Sequence, residues 1–69
     1  MSATFETRDG EKRVRVVSID GLQEFIVEKR AGLLSQRPGA RGWHVVTETT
    51  SVEVVSMHVN FSQLIEVGA

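Results

Sequence analysis

A chain of 69 residues with no cysteine has to hold its fold together without a covalent staple. A domain of this size buries only about 60% of the surface its unfolded chain exposes, so its stability margin is small. Disulfides, structural metals and oligomerisation are the usual reinforcements. The missing cysteines remove disulfides and thiolate metal sites, and two histidines are too few for a structural zinc. Self-association is the reinforcement that remains, and it is the one we expect.

The length implies one domain over residues 1–69. A hydrophobic content of 41% and a charged content of 25% are those of an ordinary globular chain. No apolar run approaches the roughly 18 residues that would span a bilayer. The first residues, Met1 to Glu6, have neither the basic region nor the apolar core of a signal peptide. With no cysteine besides, we expect a cytoplasmic protein.

Charge is unevenly distributed. All eight Lys and Arg residues fall between Arg8 and Arg41. Residues 1–41 hold eight bases and six acids, a net +2, whereas residues 42–69 hold three acids and no base, a net −3. The overall −1 and a pI near 6.1 argue against a dedicated DNA-wrapping protein.

Local signals suggest the order of elements. Asp9-Gly10 between two extended segments marks a hairpin with a type I′ turn, joining strands at about 3–8 and 12–19. Asp20-Gly21 fits either a second hairpin turn or a helix start, with Asp20 as N-cap and Gln23 closing a capping box. Leu22, Phe25, Ile26 and Leu33 then fall on one stripe of a helix, whereas the run Phe25-Ile26-Val27 lacks the alternation of a half-exposed strand. The expectation is therefore an amphipathic helix over 21–35. Residues 35–42 read as a loop punctuated by Pro38-Gly39. Trp43 to Glu48 and Val52 to Val59 read as a second hairpin, apolar on both sides, followed by a turn at 60–63 and a short strand. The fold class expected is α+β: hairpin, one amphipathic helix, second hairpin, C-terminal strand. The alternative is an all-β meander or small barrel in which residues 22–28 form a third strand.

Catalytic chemistry has no foothold. There is neither Cys nor Tyr, and none of the serines sits in a nucleophile elbow. So short a chain also has little room for a substrate pocket of several hundred Å³. We expect no enzyme and no cofactor. His44 and His58 with Glu48 fall short of a metal ligand set and are read as surface or hydrogen-bonded groups.

Two surfaces remain. A second hairpin apolar on both sides implies a covered face, making Trp43, His44, Val46, Val52, Val54 and Met57 a candidate partner interface. Arg13 and Arg15 share one face of a strand, and Arg37 and Arg41 flank the Pro38-Gly39 turn. These four are candidate contacts for an anion or nucleic acid, although interleaved acids can neutralise such a patch. The leading functional expectation is a homo-oligomeric interaction protein that binds or occludes a larger protein. A nucleic-acid-binding regulator is the alternative, and a subunit of a phage or mobile-element assembly is a third reading.

Overall fold

The computed structural model describes residues 2–30 and 42–68. These residues form a five-stranded antiparallel sheet with one short helix on one face. The strands are β1 (Ser2–Thr7), β2 (Lys12–Ile19), β3 (Leu22–Arg30), β4 (Trp43–Thr49) and β5 (Leu64–Gly68). Helix α1 (Val52–His58) and a single 3-10 turn at Phe61–Gln63 lie between β4 and β5. The spatial order is β4-β3-β2-β1-β5. The first four strands form a meander, and α1 carries the chain from one edge of the sheet to the other. The result is mostly β with a short helix, broadly an α+β arrangement dominated by its sheet.

The first hairpin forms where expected, but its turn differs. Four residues, Arg8 to Glu11, join β1 to β2. Gly10 donates its N–H to the Thr7 carbonyl at 2.8 Å. Gly10 has φ +74°, whereas Asp9 does not have positive φ, so this is not a type I′ turn. Thr7 anchors it instead: its hydroxyl donates to Asp9 Oδ1 at 2.6 Å and accepts the Lys12 N–H at 3.1 Å. The two-residue turn with positive φ at both positions is Asp20-Gly21, at +52° and +81°.

That turn leads into β3, which corrects the expected helix over its first nine residues, Leu22–Arg30; residues 31–35 of that helix lie outside the described residues. The apolar run is explained by position. β3 is an interior strand, bonded to β2 on one side and β4 on the other, so Ile26, on the face that α1 does not cover, is flanked in its row by the long side chains of Arg15 and Glu48. Phe25 and Val27 point to the α1 side, while Ile26 lies among Leu22, Glu24, Glu28 and Arg30 on the opposite side.

The second hairpin is also corrected. Trp43–Thr49 is a strand, but Val52–His58 is helical. Ser51 caps the helix, its hydroxyl accepting the Val54 N–H at 3.4 Å, and Glu53 sits in the first turn, where the helix dipole favours an acid. The expected hairpin apolar on both sides is lost with that strand. The tail follows expectation: Asn60 caps the 3-10 turn by accepting the Ser62 N–H at 3.1 Å, and the short strand β5 follows.

The core lies between α1 and the sheet. Val14 from β2 meets Val27 from β3, its cross-strand partner, beneath Val55 and Val59. Val16, Phe25 and Leu64 pack around these four valines. Among the described residues these valines are the only fully buried hydrophobics.

Candidate functional site

The face of the sheet turned away from α1 is where the sequence-predicted and unexpected residues meet. Cross-strand register places Glu6 of β1, Arg13 of β2 and Glu28 of β3 in one row, with Val45 of β4 beyond. Arg15 pairs with Ile26 in the next row. Glu28 is almost wholly buried there, its side chain only 5% exposed. Arg13 approaches it as a fork, Nε to Oε1 and Nη2 to Oε2, both at 3.0 Å. Arg15 Nε donates a third bond to Oε1 at 2.7 Å. Burial alone raises the Glu28 carboxyl, but the hydrogen bonds and charges of Arg13 and Arg15 outweigh it and hold the group below its ordinary value. Glu28 is therefore a buried carboxylate ligated by two guanidiniums.

Trp43 extends this cluster. The Arg13 guanidinium carbon lies 4.6 Å from the centroid of the indole and that of Arg30 lies 4.7 Å away, both over the ring. Arg30 is fixed by its Nε, which donates to the Gly10 carbonyl at 2.8 Å, and its Nη2 lies 3.9 Å from Glu6 Oε1. Trp43 is thus half-buried and engaged within its own chain.

The remaining candidate residues separate. Val46 on β4 and Val52 on α1 are exposed, and Met57 on α1 is exposed to 81%. Val54 is half-buried and His44 is exposed. Val52, Val54 and Met57 ride on the helix, so they do not share a sheet face with Trp43. Arg13 and Arg15 do share a face, as expected, but both are committed to Glu28. Arg37 and Arg41 lie outside the described residues.

The charge split of the sequence becomes a split along the strands. Arg8, Lys12, Arg13, Lys29 and Arg30 collect at the end where the β1–β2 turn, the finish of β3 and the start of β4 meet. Glu6, Asp9, Glu11 and Glu28 share that end. Asp20, Glu24 and Glu53 lie at the other end, and Arg15 and Glu48 flank Ile26 in one row between the two. Sequence reasoning missed Glu28 as the common partner of Arg13 and Arg15, and the placing of Arg30 and Lys29 beside β2. Only cross-strand register brings them beside β2, and a helical reading of residues 21–35 hides that register.

Among the described residues no three His, Asp or Glu side chains converge as metal ligands, and no helix is long and apolar enough to cross a membrane. Fold and surface together define a small antiparallel sheet, one face carrying a helix and the other an arginine–glutamate–tryptophan cluster. No protein-family model, curated protein or solved structure matches this chain.

Proposed function

We propose that the protein is a small cytoplasmic interaction module that associates with itself through the sheet face opposite α1. In that state it binds or occludes a surface of a larger protein. The observation that carries this reading is the character of that face. Among the described residues no element covers it, yet it bears Ile19 and Leu22, 58% and 70% exposed, beside Val17 and Ile26. A core of four valines leaves a chain of this size in need of further burial.

A second copy suits the face because the surface is complementary to itself. Arg13 and Arg30 lie toward one end and Glu24 toward the other, with Arg15, Ile26 and Glu48 sharing the row between them. A two-fold axis parallel to the sheet, above its open face and perpendicular to the strands, stacks face on face with the ends exchanged. The arginine end of each copy then lies over the acidic end of its mate, and the apolar side chains meet at the usual sheet spacing of about 10 Å. The candidate interface shifts accordingly from Val52, Val54 and Met57 to Ile19, Leu22 and Ile26.

Light scattering after size exclusion tests the association. The reading requires a dimer or larger species at micromolar concentration and a monomer for Leu22→Arg, with the circular dichroism of the fold retained. A wild-type chain that stays monomeric overturns it. The larger partner is tested by affinity capture with wild type and Leu22→Arg in parallel. A protein retained equally by both does not recognise the oligomer.

A nucleic-acid-binding regulator stands as the second reading, favoured by the gathering of Arg8, Lys12, Arg13, Lys29 and Arg30 at one end of the sheet.

A further inference from the structure

Lys12 and Lys29 are direct cross-strand partners, and His44 is the partner of Lys29 on its other side. This row lies on the α1 face, two residues along from the buried pair Val14 and Val27. The helix ends over it: the Lys12 ammonium donates to the His58 carbonyl at 2.6 Å. Lys12, Lys29, Val46 and His58 border a cavity of about 150 Å³ between sheet and helix end.

Like charges placed directly opposite each other destabilise a strand pair. Lysines are common on edge strands, where they block pairing with other chains, but β2 and β3 are both interior. Lys12 has a structural duty at the helix end. No hydrogen bond or ion pair among the described residues engages the Lys29 ammonium, and every carboxylate side chain of the sequence belongs to those residues. Glu28 borders the same cavity, but both of its oxygens are held by Arg13 and Arg15. Asp9 acts on Lys12 through its charge, yet its Oδ1 already accepts the Thr7 hydroxyl at 2.6 Å and the Glu11 N–H at 3.0 Å.

We infer that Lys12, Lys29, His44 and His58 form a binding site for a phosphate group. A doubly charged oxyanion seated over the row turns the Lys12–Lys29 repulsion into attraction for a shared ligand, with His44 beside Lys29 in the row and His58 at the helix end. The same chemistry is offered by a free polyphosphate and by the backbone of a nucleic acid. This site is separate from the self-association face, since the two occupy opposite sides of the sheet.

The test is a titration of the full chain at low salt with inorganic tripolyphosphate and, separately, with a single-stranded oligonucleotide, followed by amide chemical shifts and calorimetry. Binding of either ligand should shift the amides of Lys12, Lys29, His44 and His58. Lys29→Gln should weaken it by about tenfold and, for the oligonucleotide, lower the salt slope by about one. Saturation by tripolyphosphate alone identifies a free phosphate compound as the ligand, and saturation by the oligonucleotide alone identifies a nucleic acid. Thermal melting supplies an independent reading: without anion, Lys29→Glu should melt higher than wild type, because it pairs with Lys12, and should lose all stabilisation by tripolyphosphate. Unchanged affinity in Lys29→Gln, or no shifts at these four amides with either ligand, overturns the assignment.

Discussion

Arg13 holds Glu28 across the β2–β3 pair by two parallel hydrogen bonds of 3.0 Å, and the carboxylate they ligate is buried beneath the open face of the sheet. Its acid titration should therefore be coupled to folding. Burial works to raise the Glu28 carboxyl, but Arg13 and Arg15 together pull it below the ordinary value of 4.5. A carboxyl depressed in the folded state binds protons more readily when unfolded, so it contributes stability above its unfolded value. That contribution is lost as pH falls through the folded value. The melting temperature should fall as pH drops below about 4.5, and Glu28→Gln should flatten that limb. Asp9 is lowered too, chiefly by the Thr7 hydroxyl and then by the Glu11 N–H, so Asp9→Asn is the control that isolates the Glu28 share. An acid limb unchanged in Glu28→Gln would remove the coupling.

At neutral pH, Glu28→Gln should also destabilise by about 1–2 kcal/mol. The cost of stranding one side of a buried ion pair reaches about 3–5 kcal/mol where both groups are enclosed. Here Arg13 and Arg15 side chains are 23% and 42% exposed, so water takes up part of the released charge. Urea denaturation of the variant measures the difference. A cost above that of a buried Val→Ala change, about 2 kcal/mol, would mean the guanidiniums are less solvated than their exposure implies.

Trp43 and Arg30 should be energetically coupled. The guanidinium is 4.7 Å from the ring centroid and is held in place by the Gly10 carbonyl, so little side-chain freedom remains to be lost on stacking. A double-mutant cycle with Trp43→Leu and Arg30→Gln should give a coupling of about 0.5–1 kcal/mol. The same cycle with Arg13 mixes in its bonds to Glu28 and should not be additive.

Two stretches were misread in the sequence, and in opposite directions. Leu22, Phe25 and Ile26 satisfy a helical stripe, but Phe25-Ile26-Val27 also fits an interior strand whose Phe25 and Val27 face the helix while Ile26 is flanked by Arg15 and Glu48. Which one wins depends on neighbours on both sides, and no local signal supplies those. Val52-Glu-Val-Val-Ser-Met-His58 has the β-branched content of a strand, yet it folds as a helix because Val52, Val55 and Val59 recur at helical spacing toward the sheet. The signal for it was present in Ser51 followed by Glu53, a capping residue and an acid for the first turn. The first hairpin, strand β4 and the tail were legible because turn residues bracket each of them. Of the site, the sharing of a face by Arg13 and Arg15 was readable from alternation. Their common partner Glu28 and the Lys12–Lys29 row were not, since both depend on the β2–β3 register.

Ser51→Ala should cost about 1 kcal/mol. A helix of seven residues is too short to persist by itself, so α1 depends on its caps and on the contacts of Val55 and Val59. The hydroxyl that accepts the Val54 N–H is lost in the variant, whereas Ser51→Asp keeps an acceptor and adds a favourable charge at the helix start. Chemical denaturation should rank aspartate at or above serine and alanine below both.

Gly21→Ala tests the turn that sets the β2–β3 register. Gly21 has φ +81°, and an added Cβ would meet nothing within 4 Å, so crowding by neighbouring residues is absent. Only the left-handed backbone conformation opposes the methyl, at about 1–2 kcal/mol. Asp20, at φ +52°, already tolerates that region, and Asp20→Asn should leave stability within about 0.5 kcal/mol, because asparagine is equally suited to the first position of a type I′ turn. The two variants therefore separate backbone strain from side-chain chemistry at one turn. If Gly21→Ala were as stable as wild type, Asp20 and Gly21 would not both hold positive φ. The register pairing Ile19 with Leu22, and with it Arg13 with Glu28, would then need another origin.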